Sequence, residues 1–498
     1  METRYVDVLI IGAGVSGIGA GYHLQDKCAD KTYAILEARE NLGGTWALFR
    51  YPGIRSDSDM YTFGYSFKPW TEARSIADGA AILAYLKETA SEFGIDRHIL
   101  YRHRARSAAW SSEKALWTVE VEHGANMECL QYTCRFLYLC AGYYNYAHGH
   151  TPNFADRERF AGRIVHPQQW TDDIDYAGKR IVVIGSGATA VTLVPELAKQ
   201  AAHVTMLQRS PTYMISWPAQ DKLAKILRRI LPVGMAHAIC RWQYVLTVML
   251  FFNLARGWPA LVKKCLVGLV RRELGPEYDI GKNFTPRYDP WDQRICLVLD
   301  GDFFQAIKTG KASVVTECIS SFTEKGIAFE SGRELEADLI VTATGLELQM
   351  LGGIDISVDG TKVDIGKCLQ YKGTMFSGIP NLASCFGYIN ASWTLKADLI
   401  NEYLCRLLRH MDAAGMRRCT PELADQTIEP EPFVDFSSGY FQRSADRLPR
   451  QGSKRPWKLY QNYALDIALL RFGKIDDGTI VFSNPLPAAQ PAPVGNSA

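Results

Sequence analysis

A short run of mostly β-branched residues, Val6 to Ile11, leads directly into Gly12-Ala13-Gly14-Val15-Ser16-Gly17. The arrangement recurs where Arg180 to Ile184 precedes Gly185-Ser186-Gly187-Ala188-Thr189-Ala190. Each glycine run lies between a strand-like and a helical segment, the context in which such a turn can hold a dinucleotide. The first glycine allows the tight turn, the second lets a pyrophosphate approach the backbone, and the third position (glycine, or alanine in the second run) packs helix against strand. The helix that follows offers unpaired N–H groups to phosphates, and Ser16 adds a hydroxyl at that point in the first unit. Two such units predict an α/β fold with two Rossmann-like dinucleotide-binding domains, which 498 residues can accommodate.

The end of the second strand separates the two sites. In the first unit the run Thr32 to Leu36 closes on Glu37, twenty residues after Gly17, and a carboxylate there accepts hydrogen bonds from ribose hydroxyls. In the second, His203 to Leu207 closes on Gln208-Arg209-Ser210, where a cation and a hydroxyl suit a 2′-phosphate. The expectation is FAD at the first site and NADPH at the second. Gly43-Gly44-Thr45-Trp46 extends the first site, since paired glycines let the chain pass close to a bulky ligand. Disulfide reductases share this two-dinucleotide plan but carry a cysteine pair shortly after the glycine pair, where this chain has Trp46 to Arg50.

A net charge of +2 gives no reason to expect a nucleic-acid partner. None of the twelve cysteines pairs as C-x-x-C, which argues against a disulfide framework or zinc site and for a reducing cytoplasm. All twelve read as small buried hydrophobes. The apolar run before Gly12 is too short for a signal peptide. The longest apolar stretch, Trp242 to Ala255, is about 14 residues, below the ~18 of a spanning helix.

Expected domains are 1–145 and 346–483 for the FAD unit and 146–345 for the NADPH unit, with a disordered Pro-rich tail over 484–498. A helical insertion rich in Leu, Lys and Arg spans about 218–285. It reads either as a peripheral membrane patch or, preferred, as an apolar wall of the substrate pocket with a solvated outer face.

Phe160-x-Gly162-x-x-x-His166-x-x-x-Trp170, just before the second glycine run, resembles the fingerprint of Baeyer–Villiger monooxygenases, with Thr171 where Pro or Asp is usual. Arg50-Tyr51-Pro52-Gly53-Ile54-Arg55-Ser56-Asp57-Ser58-Asp59 resembles a second family stretch. Tyr143 to Tyr146, Pro290 to Arg294 and Asn390 to Lys396 are similar to segments in the branch of the ethionamide-activating monooxygenase. The resemblance implies that NADPH and dioxygen convert hydrophobic ketones to esters or lactones through a peroxyflavin, with thioether sulfoxidation as a side activity. An S- or N-oxygenase is the alternative, and a non-catalytic flavoprotein a remote third.

The same resemblance makes Arg294 the catalytic cation, although Gln293 stands where the family has lysine. It makes Asp57 the active-site carboxylate, with Asp59 close enough in spacing to compete, and places Arg55 and Ser56 beside the cofactor. His166 is assigned to a hinge between the domains or to a hydrogen-bonded core. The helix starting near Ser392 is expected to aim its N–H groups at the flavin.

Overall fold

The computed structural model describes residues 3–72 and 74–485. The chain begins with β1 (Thr3–Ile11), α1 (Val15–Lys27) and β2 (Tyr33–Glu37). It then adds β3 (Ile99–Tyr101), β4 (His103–Ser111), β5 (Leu116–His123) and β6 (Glu128–Leu139). Strands β3, β2, β1 and β6 lie side by side in parallel. Val8 to Ile11 are buried, as expected of a strand covered on both faces. Strands β4, β5 and β6 form an antiparallel meander on the same sheet. This meander is absent from the sequence expectations, although β4 alternates buried and exposed residues as a half-buried strand does.

A second sheet is built from β7 (Arg163–Val165) and β8 (Arg180–Ile184), followed by α2 (Ala188–Leu197) and β9 (His203–Gln208). Three insertion helices follow: α3 (Lys222–Ile230), α4 (Val233–Gly257) and α5 (Pro259–Leu274). With β10 (Ala312–Thr316) and β11 (Leu339–Thr342) the five strands run in the order β10-β9-β8-β11-β7, all parallel. The chain then returns to the first sheet, where β12 (Asp355–Val358) pairs with β4 and β13 (Leu382–Ser384) with the end of β6. The long α6 (Trp393–Ala413) packs on α1.

In both sheets the chain leaves the glycine-bearing strand toward one neighbour while the other neighbour arrives from elsewhere: β2 and β6 flank β1, and β9 and β11 flank β8. The crevice outside the strand ends at such a reversal is where ligands bind in open α/β sheets. The duplicated α/β plan read from the glycine runs is therefore the observed fold.

Several expectations need correction. The apolar run of 14 residues is the middle of a 25-residue helix, α4, which is long and apolar enough by composition to cross a membrane. The periodicity of α4 is interrupted by Arg241 and Gln243, so the apolar run understates the helix. The outer face of the insertion carries large apolar side chains beside its charges: Leu246, Leu250 and Trp258 are 60%, 61% and 62% exposed. Cys129, Cys265 and Cys318 are exposed rather than buried, and all twelve cysteines are free. Asn484, placed in the disordered tail, instead donates to Gly415 O (2.9 Å) and accepts from Arg417 N (2.8 Å). The rest of that tail, 486–498, lies outside the described residues.

Candidate functional site

At the end of β1 the chain turns through Gly12 with φ +103°, and a Cβ there would lie 2.7 Å from Cys140 O at the end of β6. Gly185 does the same in the second sheet: φ is +135°, and a Cβ would lie 2.2 Å from Ala343 O beyond β11. Only glycine fits either position, so the two turns are structurally equivalent. Gly17 packs its α-carbon against Gly12 O, and Gly14 and Gly44 approach closely, with a Cβ on Gly44 lying 3.2 Å from the Gly14 α-carbon.

From this turn a cavity of about 650 Å³ runs along the first sheet, within the size range of small-molecule and cofactor sites. Gly12, Gly14, Ser16, Glu37, Gly44 and Thr45 line it, and so do Trp46, Ser56 and Asp57. Glu37 is buried rather than a solvated strand end, and its two oxygens accept from Ala13 N and Arg39 N, each at 2.9 Å. Its carboxylate is thus locked at the mouth of the turn before any ligand arrives. Arg39, which the sequence reading passed over, also lines the cavity and donates to Ala47 O (3.4 Å) behind the glycine pair.

Two helix N-termini meet here. Trp393 Nε1, in the first turn of α6, donates to Ser16 Oγ (2.7 Å) in the first turn of α1. Ser392 is the N-cap of α6, and Ala391 and Trp393 face the cavity, so both positive helix ends point into it. The donor set and the glycine cradle fit a dinucleotide carrying a pyrophosphate and an electron-rich ring.

Arg294 closes the far end. Its Nε lies 2.9 Å from Asp57 Oδ2 and its Nη2 donates to Asp57 Oδ1 (3.1 Å), a two-point pair between positions 237 apart in sequence. Burial works against the Arg294 charge, but the Asp57 carboxylate outweighs it, and the guanidinium is held above its ordinary pKa. Tyr143, Tyr144 and Tyr440 surround it, and burial raises all three phenols so that they stay neutral. The phenols of Tyr143 and Tyr144 are 2.8 Å apart, and Tyr143 stacks on Trp393 at 5.3 Å. These tyrosines follow the end of β6, and their place at a strand end beside the reversal is the signal that could have marked them.

Asp59 does something else. It is the N-cap of the short helix Met60–Phe63, accepting from Thr62 N (2.8 Å) and Thr62 Oγ1 (2.6 Å), and burial pushes its carboxyl up to about 6. The whole segment around it is a strap across the two sheets. Tyr51 packs in one apolar cluster with Ala190 and Val191 of α2, Gly53 lies against Thr192 and Glu196, and Asp57 meets Arg294. Arg55, expected beside the cofactor, turns away from the cavity and pairs with Asp302 (2.5 Å) in a separate cleft.

At the second turn Gly187 is open, with nothing within 4 Å of a Cβ built there, and Ala188 and Thr189 start α2. Arg209 and Ser210 end β9 exposed. Ser186 Oγ donates to Ser210 O (3.0 Å), tying the glycine turn to that strand end. Phe160, His166 and Trp170 are buried and do not line the cavity at the first turn. His166 Nδ1 accepts from Gln168 N (3.2 Å) while Nε2 reaches Gly345 O (3.1 Å), on the segment that returns to the first sheet. Burial lowers its pKa, so the ring is a neutral clip on that crossing.

Residues 6–376 match the family model described as flavin-binding monooxygenase-like. The chain is 54% identical over 494 residues to the FAD-containing monooxygenase EthA of Mycobacterium tuberculosis, covering 99% of this chain and all of that one. It is 45% identical to the probable FAD-binding monooxygenase AlmA of Acinetobacter baylyi, over 96% of each. A steroid monooxygenase bound to NADP has the same fold, with a TM-score of 0.75 at 22% identity over 97% of this chain and all of that one. An open cyclohexanone monooxygenase gives 0.71 at 20% identity over 84% and 90%. FAD and NADPH are its cofactors, and the chain belongs to the flavin-binding monooxygenase-like family.

Proposed function

We propose that this monooxygenase is of Baeyer–Villiger type and inserts oxygen into hydrophobic ketones. The overall balance is ketone, dioxygen, NADPH and a proton giving ester or lactone, NADP⁺ and water. When bound, FAD supplies hydride acceptance and oxygen activation, and the protein supplies position and electrostatics. In this reading Glu37, Ser16 and the turn at Gly12 and Gly14 hold FAD, while Arg209 and Ser210 receive the 2′-phosphate of NADPH.

The observation that carries the proposal is the two-point Arg294–Asp57 pair at the end of the FAD cavity. Attack on a ketone carbonyl puts negative charge on its oxygen. A fixed guanidinium stabilises that charge without reorganising, an effect typically worth ~3–4 kcal/mol per donor. Asp57 keeps the guanidinium oriented, and neutral Tyr143, Tyr144 and Tyr440 shape an aromatic wall suited to an apolar ketone. A heteroatom oxidation develops no such carbonyl charge. A panel of aliphatic, cyclic and aryl ketones beside thioethers tests this: esters or lactones are expected, and sulfoxides alone would refute it.

A further inference from the structure

The insertion helices carry a surface that oxygen transfer does not use. Eighteen large hydrophobic side chains are exposed among the described residues, and twelve of them lie between Lys222 and Leu274. On α4, Met235, Ile239, Trp242, Leu246 and Leu250 recur at three- and four-residue spacing and share one face. The opposite face is also apolar but buried, and there Arg241 donates to Tyr61 O (2.9 Å) and Gly64 O (2.8 Å). That anchor holds α4 flat against the body, so the helix cannot turn to span a bilayer. On the neighbouring helices, Ile226 and Ile230 of α3 and Leu261 of α5 are exposed as well. Trp242 also packs beside Tyr463 (6.0 Å), and Phe472, nine residues further along the chain, is 74% exposed.

Charge decides what covers it. From Lys222 to Arg272 there are ten Lys or Arg and no Asp or Glu. The chain as a whole is +2, so this segment carries +10 and the remainder −8. Lys225 and Arg229 on α3 and Lys264, Arg271 and Arg272 on α5 are exposed. Arg228, Arg241 and Arg256 are held by carbonyls or carboxylates of the body, so a second copy using the same face would set the exposed cations Lys222, Lys225, Arg229, Lys264, Arg271 and Arg272 against their like. An anionic lipid surface matches both the apolar stripe and the positive flanks.

We propose that the outer face of α3–α5 docks the enzyme in the plane of an anionic membrane, with the α4 stripe at the headgroup–acyl boundary. The test is sedimentation of the full-length holoenzyme with vesicles of phosphatidylcholine alone or mixed with phosphatidylglycerol. Binding is expected to favour the anionic vesicles and to weaken in 1 M salt, where the screening length is about 3 Å. Leu246→Glu/Leu250→Glu should lower binding to both vesicle types. Lys225→Gln/Arg229→Gln/Arg271→Gln/Arg272→Gln should lower only the anionic preference, by about fivefold per charge. FAD content and NADPH oxidation in solution should be unchanged in both, since these side chains lie outside the cavity. Equal sedimentation of wild type and variants, or no binding, overturns the proposal. So does a dimer in size exclusion that Leu246→Glu/Leu250→Glu dissolves in the absence of vesicle binding. The readout is binding, so it fails or succeeds independently of the ketone reaction.

Discussion

Asp57→Asn isolates the orienting role of the carboxylate, because the amide keeps the shape and loses the charge. Two charges about 4 Å apart interact by about 4 kcal/mol at an effective dielectric of ~20. The Arg294 and Asp57 side chains are 32% and 38% exposed, and solvent screening at that exposure reduces the value to about 1–2 kcal/mol. If Asp57 acts through Arg294, product per unit time should fall roughly 5- to 30-fold. The assay is a double-mutant cycle of Asp57→Asn, Arg294→Lys and the pair, scored as oxygenated product per unit time with product per NADPH consumed measured alongside. The double variant should be little worse than Arg294→Lys, giving a coupling energy of about 1–2 kcal/mol. Additive losses, or a fully coupled Asp57→Asn enzyme, would show that the pair seen in the structure does not operate in turnover.

Four further outcomes are expected. Arg209→Ala should raise KM for NADPH about 10- to 100-fold, the loss of a charged hydrogen bond, and leave KM for NADH unchanged; equal effects would remove the 2′-phosphate assignment. Gly185→Ala drives a methyl to 2.2 Å from Ala343 O, so reduction of bound flavin by NADPH should collapse while FAD content stays intact. Asp59 is raised from 3.8 to about 6 in the folded protein. The folded state therefore binds its proton more tightly, and the stability this gives is full below pH ~4 and lost as pH rises through 6, about 3 kcal/mol in all. Asp59→Asn should flatten Tm between pH 4 and 6, and an unchanged slope counts against the assignment. Finally, Ellman's reagent should modify three thiols quickly in the native enzyme, Cys129, Cys265 and Cys318, and all twelve after unfolding.

Local chemistry was the legible part. A glycine forced to φ +103° or +135° beside a neighbouring strand end is a property of a few consecutive residues, so both turns, their strands and the contrast between Glu37 and Arg209–Ser210 could be read directly. The β4–β6 meander was equally local in its alternation yet stayed hidden among charged residues such as Arg104 and Arg106. The length of α4 was obscured by Arg241, which reads as a polar interruption until its buried carbonyl partners are seen.

What tertiary structure alone decided is the assembly of groups distant in sequence. Asp57 and Asp59 differ by two positions, and spacing cannot choose between them. The fold does, by capping a helix with one and setting the other against a guanidinium 237 residues away. Likewise Arg55, one turn of the strap from Asp57, is drawn to Asp302 and not to the cavity. The sequence by itself determined the two glycine turns and the different residues that close their second strands, because backbone sterics and one terminal charge are short-range. Which carboxylate Arg294 meets, and which surface of the insertion faces outward, depended on long-range packing that no local pattern records.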